Sequence, residues 1–360
     1  MRFRLSRQTA VSAGVFLSAC LASMGARANS SEAADVPCVA VVLFFSYQNP
    51  GGPAFDAGAL HAGCWDRVAA AVHDLGHCAV SRAEIEPIVY KWGVRTALMV
   101  SGGFLADVAT ERSAHELLVC DLMIHSDRLL LCGRSVGTAT GQVVWADIEE
   151  VQLSPDLAAT HGLDGERLFD ATSLAARNLL TRWSSRPTRK DVASSLYVLP
   201  VRTNGMEESA GRVVICCLLR SLLESPSGGI EDPGVTFARL REVGIDPRRL
   251  DSRARPILGG TGTSHTVLIC DLVAYELPTD AASARRFDDD EIVRFPTPLP
   301  AAALSLRLID AASGIVTFGA TEYLSVPSLR GLFGIAKRVS IIKRVQPVAD
   351  RLVHAAIQKG

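Results

Sequence analysis

Hydrophobic and polar positions along the chain fall into runs that occur twice. "LLVCDLM", starting at Leu117, and "VLICDLV", starting at Val267, are apolar runs that share a central Cys-Asp-Leu. Cys120 and Cys270 stand 150 residues apart. Runs this short and apolar read as buried strands. After the first comes "HSDRLLLCGRSVGTATGQVVWADIEE"; after the second, later, comes "AAALSLRLIDAASGIVTFGATEY". Gly141 aligns with Gly314, Arg134 with Arg307, Trp145 with Phe318 and Glu149 with Glu322, at a spacing of 173. The change of spacing marks an insertion at residues 278–300, "PTDAASARRFDDDEIVRFPTPLP". Its Pro and Asp content predicts a surface excursion.

The repeat extends upstream. "VAVVLFF" and "SLYVLPV" predict a first buried strand in each copy. Each precedes a helical pattern, "AGCWDRVAAAVHDLG" or "AGRVVICCLLRSLLE". Then "CAVSRAEIEPI" and "VTFARLREVGI" each predict a short strand turning into a helix at an arginine, Arg82 or Arg239. The copies close on helices, "GERLFDATSLAARNLLTRW" and "VQPVADRLVHAAIQ". The polar, Pro-containing "SSRPTRKD" between them reads as a linker. The Gly of "TATG" and of "AASG" allows the positive φ of a turn between meander strands. The pattern predicts an α+β chain of two tandem domains, residues 36–188 and 192–360. Each is a mixed β-sheet with covering helices.

Composition agrees with two folded domains. The chain has 360 residues, 48% hydrophobic and 21% charged. A net charge of −1 gives no general pull towards nucleic acid, so no nucleic-acid partner is expected. Downstream of the leader, no apolar run reaches the ~18–20 residues of a spanning helix.

The first residues read as an export address. "MRFRLSRQ" is basic, and "TAVSAGVFLSAC" is short and apolar. Residues 1–28 are therefore set apart as a signal peptide. "LSAC", Leu17 to Cys20, resembles the lipobox of bacterial lipoproteins, in which Cys20 would be acylated. "ARA", Ala26 to Ala28, fits an ordinary cut before Asn29, and an uncleaved anchor is the third reading. All three place the folded part outside the cytoplasm. Leu21, not Asp, follows Cys20; by that resemblance the expected place is the outer membrane, facing the periplasm, with a soluble periplasmic form as the alternative. Disulfides are permitted there. Nine cysteines occur. A hairpin centred near Ser126 would set Cys120 against Cys132, where a bond can form but is not required. Cys270 meets Ser305 instead and is expected to be a buried thiol.

The apolar first strand, the strand ending "VSRAEIEPI" and "LRLIDAASGIVTF" together resemble a bacterial envelope module. It is shared by the TolB amino-terminal domain, CsgG-type curli secretion lipoproteins and LpoB-type activators of penicillin-binding proteins. Leu306, Leu308, Asp310, Ser313 and Gly314 carry the match in the second copy; Thr140, Gly141, Val143 and Trp145 carry it in the first. Gly137 stands where the first copy should have the Asp, and both copies have Cys-Asp where the family usually has Gly. The resemblance implies a non-enzymatic adaptor or assembly part, without cofactor or catalytic residues, that binds other envelope proteins through sheet edges and loops.

Other short motifs resemble chemical sites. "GRSVG" fits a nucleophile elbow with Ser135, but the sequence after it predicts a turn and a strand where that motif needs a helix. "HDLGH" mimics a zinc-protease helix, yet Gly76 should end the helix and part His73 from His77; a surface metal contact through His73, His77 and Cys78 is the weaker reading. "GGTGTSH" lacks the Lys of a phosphate loop, and "SIIK" has no KTG box after it. "SLRGLFGIAKRVSIIKRV" carries Arg330, Lys337, Arg338, Lys343 and Arg344 without an acid. It reads either as a surface meeting anionic headgroups or an acidic partner, or as the solvated side of an ordinary helix.

The expectation is thus a lipid-anchored, protein-binding envelope adaptor. A secretion pore is a rival, but the insertion has Asp288, Asp289, Asp290 and Pro296, Pro298, Pro300, and cannot supply a membrane hairpin. A secreted serine hydrolase is the rival from another class.

Overall fold

The computed structural model describes residues 38–47, 57–125, 128–153, 165–187, 194–203, 208–225, 228–246, 255–258, 265–275, 302–324 and 340–359. Cys20, the whole insertion 278–300, Arg330, Lys337 and Arg338 lie outside them. The first half runs β1 (Cys38–Tyr47), α1 (Ala57–Asp74), β2 (Cys78–Val80), α2 (Arg82–Trp92), a 3-10 turn (Ala97–Met99), α3 (Gly102–Arg112), β3 (Ala114–His125), β4 (Arg128–Gly137), β5 (Val143–Gln152) and α4 (Gly165–Ser184). The second half runs β6 (Ser194–Val198), α5 (Glu208–Glu224), β7 (Gly229–Glu231), α6 (Pro233–Glu242), α7 (Arg255–Leu258), β8 (Thr266–Tyr275), β9 (Ala302–Asp310), β10 (Val316–Leu324) and α8 (Ile341–Lys359).

The fold is α+β, with two five-stranded mixed sheets. The first sheet has the order β2-β1-β3-β4-β5, and the second has β7-β6-β8-β9-β10. In each, the first strand is parallel to both neighbours and the last three strands form an antiparallel meander. Register repeats too. Cys120 lies opposite Gly133, and Cys270 opposite Leu306. The last pair of strands carries the same irregularity: Ser135 faces Trp145 and Val136 faces Val143, while Leu308 faces Phe318 and Ile309 faces Val316. A bulge re-aims the strand after it, so repeating it keeps corresponding side chains on corresponding faces.

The turns before β5 and β10 also match. Gly141 N donates to Gly137 O, and Gly314 N to Asp310 O, both at 2.8 Å. Gly141 and Gly314 sit at φ +68° and +70°, where a Cβ would be strained.

Two sequence expectations are corrected. "VTF" is not a strand: α6 begins at Pro233, because Asp232 accepts from Gly234 N at 2.8 Å and Pro233 needs no hydrogen-bond partner for its nitrogen. The strand is the shorter β7, and the helix starts six residues before Arg239. The helix α3 was not foreseen; Ser101 caps it by accepting from Phe104 N at 3.2 Å.

One face of the first sheet packs on α1 and α4, where Leu118, Cys120, Leu129 and Leu131 meet Leu179 and Leu180. The alternate residues point the other way. Met123, Leu130, Cys132, Val143, Ala146 and Ile148 share a core with α5, α8 and the second sheet. The helix α5 therefore touches both sheets, and it is buried from Ser209 to Leu222 save for Arg212 and Arg220. A helix apolar on every side is stable only when enclosed.

Polar groups fix this seam. Arg134 of β4 binds Asp232 at 2.5 Å and Ala97 O at 2.7 Å, with both charged side chains buried. Arg212 of α5 donates to Ser46 Oγ at 2.6 Å and Asp121 Oδ1 at 3.4 Å. Asp147 takes Arg220 of α5 at 2.9 Å and also pairs with Arg182 of α4. Backbone joins in: Gln142 bridges to Glu231, and Asp232 N donates to Gly141 O at 2.9 Å.

The equivalent arginines have unequal surroundings, which sets a test. Arg134→Ala should cost about 3–5 kcal/mol, because it strands Asp232 in the interior. Arg307 pairs with Asp271 at 2.7 Å but is 40% exposed, so Arg307→Ala should cost ~0–1 kcal/mol. Urea unfolding of the two variants measures both.

Candidate functional site

The motifs that hinted at catalysis do not assemble. Ser135 lies mid-strand in β4, fully buried, and donates to Glu116 Oε2 at 2.6 Å. Arg186 holds the same carboxylate at 2.5 and 2.6 Å. Strand β5, not a helix, comes next, so nothing projects Ser135 towards a substrate. His73 is exposed in the last turn of α1, and Gly76 at φ +82° ends that helix. His77 turns instead to α4, with Nε2 3.2 Å from Ser184 Oγ and its ring 4.5 Å from Trp183. Cys78 is bonded to Cys38, so its thiol is not available to a metal. Among the described residues no group of three His, Cys, Asp or Glu side chains could hold a metal ion. Ser340 hydrogen-bonds Glu150 and accepts from Lys343 N at 3.4 Å, a cap for α8 and not a nucleophile.

The hairpin bond between Cys120 and Cys132 is not present. Cys132 lies opposite Asp121, one residue out of step with Cys120, which lies opposite Gly133. One step in a strand moves a side chain to the other face of the sheet. Cys120 thus points to α4's side and Cys132 to α5's, and both are buried free thiols, as is Cys270. Burial pushes the thiols of Cys120 and Cys132 up, and that of Cys270 up to about 12. The disulfide that exists joins Cys38 and Cys78, opposite each other on parallel neighbours β1 and β2, with Cα atoms 4.5 Å apart. The signal available in sequence was that each cysteine opens a strand.

Of the basic stretch, Lys343 and Arg344 fall within the described residues, both on α8. Lys343 is exposed, whereas Arg344 is half-buried near Arg128, whose charge is disfavoured first by burial and then by Arg344. The opposite side of α8 buries Val345, Val348, Ala349, Leu352, Val353 and Ala356 against the second sheet. That is the packing of an ordinary amphipathic helix. No helix among the described residues is long and apolar enough to cross a membrane.

Among the described residues, part of the second sheet is uncovered. α5 and α8 take its inner face, and α6 and α7 cover the β6–β8 side of the outer face around Tyr197, Leu240, Ile245 and Leu258. The β9–β10 side of that face carries Arg307, Ile309, Val316, Thr321 and Tyr323 by register. Val316 is 53% exposed and Tyr323 63%. Their counterparts on the first sheet are Val143, which is 2% exposed, and Glu150, which is buried in an ion pair with Arg128. Ile315, just before β10, and Val273 of β8 are exposed as well. Among the described residues β10 also ends its sheet. An apolar strip beside a sheet edge can take a strand through backbone hydrogen bonds, or a helix through its side chains.

Two chemical measurements and two variants check these assignments. Peptide mapping without reduction should recover Cys38 linked to Cys78, and alkylation of the folded protein should leave Cys270 unmodified. Ser135→Ala should cost about 1–3 kcal/mol, by leaving a charged hydrogen-bond partner short of a donor. His73→Ala should stay within about 0.5 kcal/mol of the parent. Neither substitution should change what the protein binds.

No family model matches the chain, and no curated protein does. Solved structures similar to it include the LpoB C-terminal domain from Salmonella enterica, at 11% identity and a TM-score of 0.25, covering 36% of this chain and 91% of that one. Lipoprotein GNA1162 from Neisseria meningitidis is 13% identical with a TM-score of 0.27, covering 40% of this chain and 99% of that one. TolB from Acinetobacter baumannii is 10% identical with a TM-score of 0.22, covering 38% of this chain and 28% of that one. At these identities and scores the likenesses carry no argument about function.

Proposed function

We propose that this chain is a non-catalytic cell-envelope protein that works by binding other proteins through the outer face and β10 edge of its second sheet. The reading takes the chain as two tandem copies of one α+β domain, residues 36–188 and 192–360. It takes Cys20 as the acylated residue that tethers them to the outer membrane, on the periplasmic side. The observation that carries it is the exposure of Ile315 and Val316 at one end of β10 and of Tyr323 at the other, on the last strand of its sheet among the described residues. Large apolar side chains exposed along an edge strand cost solubility unless something covers them. Ser135, the nucleophile the hydrolase reading would need, is buried in mid-strand and donates to Glu116.

A photo-crosslinking amino acid placed at Tyr323 tests the binding surface in intact cells. The expected product is a discrete protein adduct, with a control at exposed Lys343 giving none. If Tyr323 yields no adduct where expression and folding are normal, the binding reading falls. Anchoring is tested separately: Cys20→Ala should abolish fatty-acid labelling and release the protein from the membrane fraction. A wild-type protein that takes up no label and begins at Asn29 would replace the lipid anchor with plain secretion.

A further inference from the structure

The first sheet records what belongs on the open face of the second. By register, Gln142, Val143, Arg134, Ala146, Ile148 and Glu150 of the first half correspond to Ile315, Val316, Arg307, Gly319, Thr321 and Tyr323 of the second. In the first half this surface is covered by α5 and by the β7–α6 junction. Among the described residues the same surface of the second half is bare; Ile315 and Tyr323 are more apolar than their covered counterparts, while Gly319 and Thr321 are less so. A surface is not expected to gain exposed apolar area in the copy that has no use for it.

The element that would cover it is the first half's own equivalent of α5, which is α1. In α1, Cys64, Val68, Ala71 and Val72 face the sheet; in α5, Val214, Leu218, Ser221 and Leu222 are buried at the same spacing. By that correspondence Arg212, Cys216, Leu219 and Arg220, which face the first sheet or its edge, match Ala62, Asp66, Ala69 and Ala70. The side of α1 turned away from its sheet thus carries Ala62, Ala69 and Ala70 with Asp66 and, at the helix end, His73, and exposed Arg67 flanks it. Asp66 is 59% exposed and lies 3.0 Å from Arg82, the first residue of α2. That places an acid beside the β2–α2 junction, as Asp232 sits at the β7–α6 junction where it binds Arg134.

We propose that a second copy of this chain docks head to tail, its α1 and β2–α2 junction seated on the outer face of the second sheet. The proposal rests on the binding reading above and names its partner. Charge supports it: Arg202 and Arg307 both pair with Asp271 on that face, an excess of one cation among these described residues, and Asp66 is the anion that meets it. Size supports it too, since alanines on the helix face the larger Ile315, Val316 and Tyr323. The interface is heterologous, so each copy keeps one unused end, and assembly proceeds until a ring closes or continues as a filament.

Sedimentation of the purified full chain from about 1 to 100 μM is the direct test. Self-association that rises with concentration is expected. Tyr323→Asp and Val316→Asp should each weaken it at least tenfold, with circular dichroism confirming that both remain folded. Arg307→Asp and Asp66→Arg should each fail to associate alone, yet associate when mixed, because the exchanged charges then face each other. A monomer at every concentration overturns the proposal, as does association indifferent to Tyr323→Asp. The photo-crosslink at Tyr323 separates the two readings. An adduct with a different protein overturns self-docking and leaves the binding reading standing. A crosslink within the same chain, to residues 276–301 or 325–339, overturns both.

Discussion

Strands β3 and β4 are apolar on both faces, and that constraint governs the rest. "LLVCDLMI" and "RLLLCGRSV" do not alternate, so the first sheet cannot leave either face in water. Its own helices α1 and α4 cover one side. The other side is met by α5, a helix from the second half whose "VVICCLL" has no polar stripe. Each solves the other's exposure, and the hydrophobic term for each fully enclosed Leu, Ile or Val is ~1.5–3 kcal/mol. The two sheets consequently belong to one compact unit, Cys38–Gly360, in which α5 is shared core.

Within that apolar seam the charges decide geometry. Arg134 reaches across to Asp232, and the same Asp232 caps α6 through Gly234 N. One carboxylate thus serves a helix terminus and an ion pair at once, which ties the start of α6 to the middle of β4. Gly234 permits the approach, since a Cβ there would fall 2.8 Å from Val100 O. Asp121 shows the cost of such placement. Burial pushes its carboxyl up, and Arg212 and Arg134 oppose that shift. A buried pair of this kind adds less to stability than to uniqueness of docking, because the lone partner is what the interior cannot tolerate.

The two halves share a plan and differ in what they leave open. Asp121 is satisfied from the neighbouring half by Arg212, whereas Asp271 is satisfied within its own half by Arg307 and Arg202. Cys38 and Cys78 staple β1 to β2, but their register equivalents in β6 and β7 are Ser194 and Gly229. The common turn, the common bulge and the common strand order persist because they are backbone requirements. The outer faces differ because, among the described residues, only that of the first sheet meets the other half.

How much of this was legible follows from which forces are local. Hydrophobic periodicity determined the strands, most helices and the repeated order, and Gly141 and Gly314 announced their turns, because these features depend on a few neighbouring residues. The start of α6 was misplaced because "VTF" has strand propensity, and the Asp232-Pro233 cap that overrides it is a single short signal. The Cys120–Cys132 pairing failed on one residue of register, which the connection between β3 and β4 sets and hydrophobic pattern does not. Cys38 and Cys78 could not be paired in advance, since parallel neighbours are brought together by a crossover of helix and loop. The sequence by itself determined two similar sets of strands and helices. Only the tertiary structure decided that α5 lies between the sheets, that Arg134 finds Asp232, and that Val143 is covered while Val316 is not. Each of those depends on packing between segments far apart in the chain, where no local pattern carries the information.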